Sequence, residues 1–281
     1  MNALTFPALL PASLLRDARR PALAALGCGL LAGGGVTSAD VLREQVIDLT
    51  TGWNAVHLEV DPVDPKPAAV FSGAPVDRVA RYFRLLTPVQ FISDPTDAPW
   101  QSERWGVWYA PTREDAFLTN LHAIQGNQNY LVHATEPFQW KVTGKVVHSP
   151  PQWRTESYNL VGFSVDAQSP PTFGSFFAGA HAQVGQKIYR LVDGRWVKVL
   201  NPASTVMRSG EAFWTWCEGR TDFEGPLALE LPATGTLDFG ALNTKLSIGW
   251  RTTAAASGGL AVEVMPPVGG GTPLPLHFEV R

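Results

Sequence analysis

Gly52-Trp53-Asn54-Ala55-Val56-His57-Leu58-Glu59-Val60-Asp61 is matched later in the chain by Ser157-Tyr158-Asn159-Leu160-Val161-Gly162-Phe163-Ser164-Val165-Asp166. Both stretches read aromatic-Asn, then alternating apolar residues, then Val-Asp. In the first, Val56, Leu58 and Val60 fall on one side of an extended chain and His57 and Glu59 on the other. Period-two alternation predicts a strand, and finding it twice predicts an internal repeat.

The match continues outward from these strands. A Pro-rich bend and a short apolar patch follow each one, Ala68–Gly73 in the first half and Thr172–Gly179 in the second. Each patch is long enough for about one helical turn. Ile188-Tyr189-Arg190-Leu191 and Trp196-Val197-Lys198-Val199 then flank Val192-Asp193-Gly194-Arg195. An Asp-Gly pair between alternating runs predicts a tight hairpin, because that turn needs positive φ. The first-half counterpart is longer, from Val79, Tyr82 and Phe83 to Trp105-Gly106-Val107-Trp108-Tyr109. Each half closes on Gly and aromatic residues, Gly126–Val132 and Gly210–Trp216, with final strands expected at Phe138–Gly144 and Phe223–Gly225.

No stretch after residue 40 keeps a helical period for ten residues, and Gly 26 plus Pro 23 favour turns. The expected fold is all-β: two related small β-sandwich or barrel-like units over 40–149 and 150–229, joined near Ser149-Pro150-Pro151. Residues 230–281 read as a short C-terminal β segment, with alternation at Leu246–Trp250, Leu260–Val264 and Leu276–Val280. That is too few strands for a complete immunoglobulin-like sandwich.

The order Gly-Trp-Asn with alternating apolars, aromatic hairpin, then Gly before aromatic-Trp resembles a repeat module of bacterial secreted and surface proteins. Such modules read GWNLVSLPV early and GYWI late. The resemblance covers about residues 48–226. The chain departs from it at Tyr158, where Trp is usual, and at Asn129-Tyr130-Leu131. Thr236-Leu237-Asp238-Phe239-Gly240 resembles the opening of immunoglobulin-like modules that follow such repeats. The resemblance implies an extracellular, multidomain architecture and carries over no catalytic residues.

The N-terminus reads as an export signal over residues 1–39. Arg16, Arg19 and Arg20 precede the apolar run Ala22–Val36, and Thr37-Ser38-Ala39 supplies small residues before a cleavage expected after Ala39. The run is shorter than the ~20 residues that span a bilayer. Ala25-Leu26-Gly27-Cys28 is a poor lipoprotein box, and Arg19-Arg20 a weak twin-arginine signal. Cleavage removes three Arg and one Asp, taking the formal charge from −3 to −5. Cys217 is then the only cysteine, so no intrachain disulfide is available. A pI near 6.1 gives no basic field for a phosphate backbone, so nucleic acid is not an expected partner.

The chain has no Gly-x-Ser-x-Gly elbow, phosphate loop or His-Glu-x-x-His motif. Its six His are scattered without metal-ligand spacing, so neither a metal nor another cofactor is expected. Cys217 reads as a buried thiol. Glu59 with Asp61, Glu114 with Asp115, and Asp222 with Glu224 are the pairs a glycosidase could use, although two acids on one strand face also describe any solvated surface. Tryptophan is the abundant specialised residue. Trp53, Trp140, Trp196 and Trp214 read as core. Trp105 and Trp108 fall on opposite strand faces, so together with Trp100 they are the candidates for an exposed platform against a sugar ring. The expected function is a non-catalytic structural or adhesive module of the bacterial exterior, with cell-surface proteins or polysaccharide as partners and no membrane span after signal cleavage. A carbohydrate-binding module is the first alternative and a secreted hydrolase a distant one.

Overall fold

Both quoted stretches open as strands, to Leu58 and to Gly162, in the computed structural model, which describes residues 42–83, 105–183, 185, 187–230 and 247–252. In the first half, β2 (Gly52–Leu58), the helical turn α1 (Pro67–Val70), β4 (Val76–Tyr82), β5 (Trp105–Tyr109) and β6 (Gln128–Ala134) follow in order. Their sheet runs β2-β6-β4-β5. In the second half, β8 (Ser157–Gly162), α2 (Phe173–Phe176), β9 (Ile188–Val192), β10 (Arg195–Lys198) and β11 (Ala212–Cys217) form the sheet β8-β11-β9-β10. The strand order is the same in both: first, last, second, third, with every pair antiparallel.

The two sheets also agree in register. Val56 pairs with Tyr130, and Val161 with Phe213. Carrying that frame across places Arg81 with Arg190, Leu131 with Trp214, and Trp105 with Trp196. The shared Asn has the same task in both. The Asn54 side chain donates to the Thr50 carbonyl at 2.7 Å and accepts from the Thr50 N–H at 2.9 Å. Asn159 donates to the Arg154 carbonyl at 3.0 Å and accepts from the Arg154 N–H at 2.8 Å. Each clips the chain that enters the first strand, and each also donates to the carbonyl two residues back. The expected hairpin is present, with Asp193 and Gly194 at φ 49° and 76°, the values a two-residue turn of this hand requires.

Three cores separate the layers. One face of the first sheet, with Val56, Val79, Trp108 and Val132, meets a second sheet of order β1-β7-β3. Its strands are β1 (Leu42–Leu49), β7 (Phe138–Val146) and β3 (Val60–Pro62). Phe71, after α1, lies between Trp108 and Trp140, with ring centroids 5.5 and 4.8 Å away. The other face, with Trp53, Trp105, Val107 and Leu131, packs on Leu160, Trp196, Ala212 and Trp214 of the second half's sheet. That sheet's far face, with Val161, Ile188 and Phe213, is closed by Phe173, Phe176 and Phe177 from α2 and its exit.

The first half's four-stranded sheet is therefore the middle layer, buried on both faces. β5 reads Trp-Gly-Val-Trp-Tyr with every residue buried, as a strand covered on both sides should be. Trp214 is 1 % exposed between the sheets. An indole of 150–250 Å² removed from water is worth roughly 4–6 kcal/mol by area transfer, an upper figure. The inter-sheet seam thus carries as much apolar burial per side chain as a domain core.

The fold is all-β, as expected, with several antiparallel sheets, and three finer expectations need correction. No closed barrel is present among the described residues. The second half is not a sandwich on its own: a helical turn and loops, not a second sheet, cover its far face. Phe223–Gly225 is a loop. Its Phe223 ring fills the space among Phe163, Phe176 and Phe177, and its Phe223 carbonyl accepts from Trp153 Nε1 at 2.6 Å, which draws the segment off a strand path. The strand expected at Phe138 is present as β7 and pairs with β1 and β3. At the C-terminal end, β12 (Leu227–Glu230) pairs with β13 (Gly249–Thr252). The segments at Leu260 and Leu276 and the Thr236–Gly240 stretch lie outside the described residues. No helix among those residues is long and apolar enough to cross a membrane.

Candidate functional site

Trp105 and Trp108 are 3 % and 7 % exposed. They do point to opposite faces, but each face of β5 has a layer on it: the second half's sheet over Trp105 and the β1-β7-β3 sheet over Trp108. Neither offers an indole face to a sugar, so the platform expected at these two positions is not formed. Trp100 lies outside the described residues.

The proposed acid pairs do not converge across a cleft. Glu59 is 5 % exposed, 3.4 Å from the Arg43 guanidinium, and burial raises its pKa. Asp61 accepts from the Gly126 N–H at 2.6 Å. Asp115 binds Arg113 through both oxygens, which lowers its pKa. Asp222 faces Arg251 at 3.4 Å, whereas Glu224 faces His148 at 3.7 Å. Cys217 is buried, and burial with Glu156 nearby pushes its thiol up to about 11, so little thiolate exists near neutral pH. Among the described residues, no group of three or more His, Cys, Asp or Glu is placed to hold a metal ion.

Polar groups gather instead along the seam between the sheets. The same aromatic faces of the two halves meet, as in the self-complementary interface of a two-fold dimer. His57 and Gly162 occupy matching positions of the repeat and touch: a Cβ built on Gly162 would lie 2.2 Å from His57 Cβ. The His57 N–H donates to the Gly210 carbonyl at 2.9 Å, and Nδ1 is 2.9 Å from Asn129 Oδ1. Asn129 Nδ2 then donates to the Leu160 carbonyl at 3.0 Å. Burial lowers the imidazole pKa to about 4, so it sits there neutral.

Two grooves open on either side of this contact. The first, about 750 Å³, lies between Trp53–Val56 of β2 and the second half's Arg190, Leu191 and 206–211 loop. The second, about 510 Å³, lies between Leu160–Gly162 of β8 and the first half's Arg81, Tyr82, Phe83 and Asn127–Asn129. Their walls correspond: one strand-β2-type wall, one Arg-bearing strand, and one loop with a positive-φ residue, Gly210 (72°) or Asn127 (52°). Two grooves built alike are the expected product of a repeat whose halves face each other.

A separate cluster decorates the first sheet. Asp77 binds His133 Nδ1 at 2.5 Å and Arg113 at 2.8 Å, and the Arg78 guanidinium lies 5.2 Å over the Trp53 ring. His133 packs edge-on against Trp53 at 5.1 Å. Asp77 on β4 pairs with Arg113 of the loop after β5 and with His133 on β6, so this cluster ties strand to loop.

Sequence reading missed the grooves and the cluster. The Arg81–Arg190 correspondence was hidden by unequal spacing, because β4 and β5 are separated by a long insertion whereas β9 and β10 are joined by a two-residue turn. Comparison of the chain with protein-family models, curated proteins and solved structures finds no match.

Proposed function

We propose that this chain is a non-catalytic architectural module of the bacterial exterior, adhesive or structural, exported by residues 1–39. The observation that supports it most is the use made of the aromatic side chains. Trp53, Trp105, Trp196 and Trp214 fuse two copies of one sheet into a single stack. Ionisable groups such as Asp77 and Glu211 hold loops to strands. A rigid layered stack with open grooves at its seam suits a spacer or an attachment unit on a surface.

Production of the full chain in a Gram-negative host tests this. Mass spectrometry of the mature N-terminus should begin at Asp40, and protease or antibody should reach the protein on intact cells or in the medium. A chain retained inside the cell with Met1–Ala39 attached would refute the reading. The carbohydrate-binding alternative loses Trp105 and Trp108 as its platform, and whatever support it keeps comes from the grooves.

A further inference from the structure

The two matched grooves differ in one respect that bears on ligands. In the first, Arg190 meets Glu211 in a two-point ion pair, Nε to Oε1 at 2.9 Å and Nη2 to Oε2, with both side chains 11 % exposed. That cation is neutralised from within. In the second groove the matching cation is Arg81, and the residue matching Glu211 is Gln128. Among the described residues, Arg81 has no carboxylate within ion-pair distance. Its Nη1 donates to the neutral Gln125 Oε1 at 2.7 Å. The guanidinium lies 4.9 Å over the Phe83 ring, a contact that holds it in place without cancelling its charge.

The rest of this groove is neutral and rich in hydrogen-bonding groups. His57 carries no charge near pH 7, and Asn127, Gln128 and Gln152 line the walls. Phe83 is 41 % exposed at its mouth, and the buried Tyr82 hydroxyl has no hydrogen-bond partner among the described residues. One fixed cation among amides and an aromatic edge fits one carboxylate flanked by hydroxyls. A bare ion would use the guanidinium alone; a uronic acid residue would use the amides too.

We propose that the groove at Arg81 binds acidic saccharides, uronate-containing chains in particular, and that the groove at Arg190 does not because Glu211 already occupies its cation. The proposal goes beyond the architectural reading and does not depend on it, since surface location and sugar affinity are measured separately.

The test is calorimetric titration of the purified full chain with tetragalacturonate, neutral galactotetraose and sodium acetate. Tetragalacturonate should bind, with galactotetraose and acetate at least about tenfold weaker. Arg81→Gln should weaken binding by on the order of tenfold or more, the usual scale for a charge-assisted contact. Gln128→Glu writes the Arg190–Glu211 pair into the second groove and should weaken it as much, with an unchanged melting temperature showing that the fold is intact. Absence of heat up to about 10 mM, equal affinity for the neutral sugar or acetate, or unaltered binding by the folded Gln128→Glu variant would each overturn the proposal.

Discussion

Gly162→Ala is the sharpest probe of the seam. The added methyl would sit 2.2 Å from His57 Cβ and 2.4 Å from Cγ, with 2.9 Å to Nδ1. These are atoms at the root of a side chain that is 4 % exposed and hydrogen-bonded to Asn129, so they cannot swing aside. Relief requires β2 and β8 to part, at the usual overpacking cost of about 1–3 kcal/mol and at the upper end because backbone must move. For a chain of this size, about 3 kcal/mol lowers the melting temperature by roughly 6–12 °C. The backbone at Gly162 is not in the left-handed region, so Ala carries no conformational penalty of its own. The cost should therefore vanish in a His57→Gly background, where Gly162→Ala becomes neutral or stabilising by about 0.5 kcal/mol. The coupling between the two positions, from urea or thermal unfolding of all four proteins, should be about 2–3 kcal/mol. If Gly162→Ala melts with the wild type, or costs the same in both backgrounds, the contact between matching residues is not as described.

Other outcomes follow from the same contacts. His57 should make stability depend on acidity: its pKa is about 4 folded and 6.5 ordinarily, so the unfolded chain takes up a proton first. Stability is then complete above pH 6.5 and declines toward pH 4 by about 3 kcal/mol, a slope that His57→Gln should flatten in unfolding curves. Asn159→Ala leaves the Arg154 N–H and carbonyl without their clip inside a 3 % exposed site and should cost about 2–3 kcal/mol by chemical denaturation. Trp105→Ala and Trp108→Ala should each lose about 3–5 kcal/mol of stability, seen as a fall in melting temperature. A stable Trp105→Ala protein with altered sugar binding would restore the discarded platform. Glu59→Gln should raise the melting temperature at pH 8 and change it little at pH 4, because burial disfavours only the ionised form.

Local chemistry explains which parts of the fold were legible in the sequence. Alternation marked β2 and β8, Asp193-Gly194 fixed the hairpin, and the apolar patches before β4 and β9 became α1 and α2 as their lengths suggested. The paired aromatic-Asn motifs led to two sheets of one topology. Layering was not legible. Period two tells that Trp105 and Trp108 face opposite ways, but not that both ways lead inward; that depends on β7, thirty residues on, and on the other half of the chain. Phe223 reads as a strand aromatic, yet its neighbours in space, Phe163 and Phe176, are distant in sequence. Strand β1 lay beside the apparent export signal and carries a charged outer face, so its buried Gln45, Ile47 and Leu49 did not stand out. The Arg81 groove needed register, which only pairing provides.

Because each half covers the other's aromatic face, the first half is not finished when it leaves the ribosome. The roughly 80 residues between Ala134 and Cys217 take on the order of ten seconds to synthesise. For that interval Trp53 and Trp105 stay wet, on a surface shaped to grip a copy of itself. Nascent chains close together could therefore cross-pair, and a holding chaperone or a dilute compartment would favour the monomer.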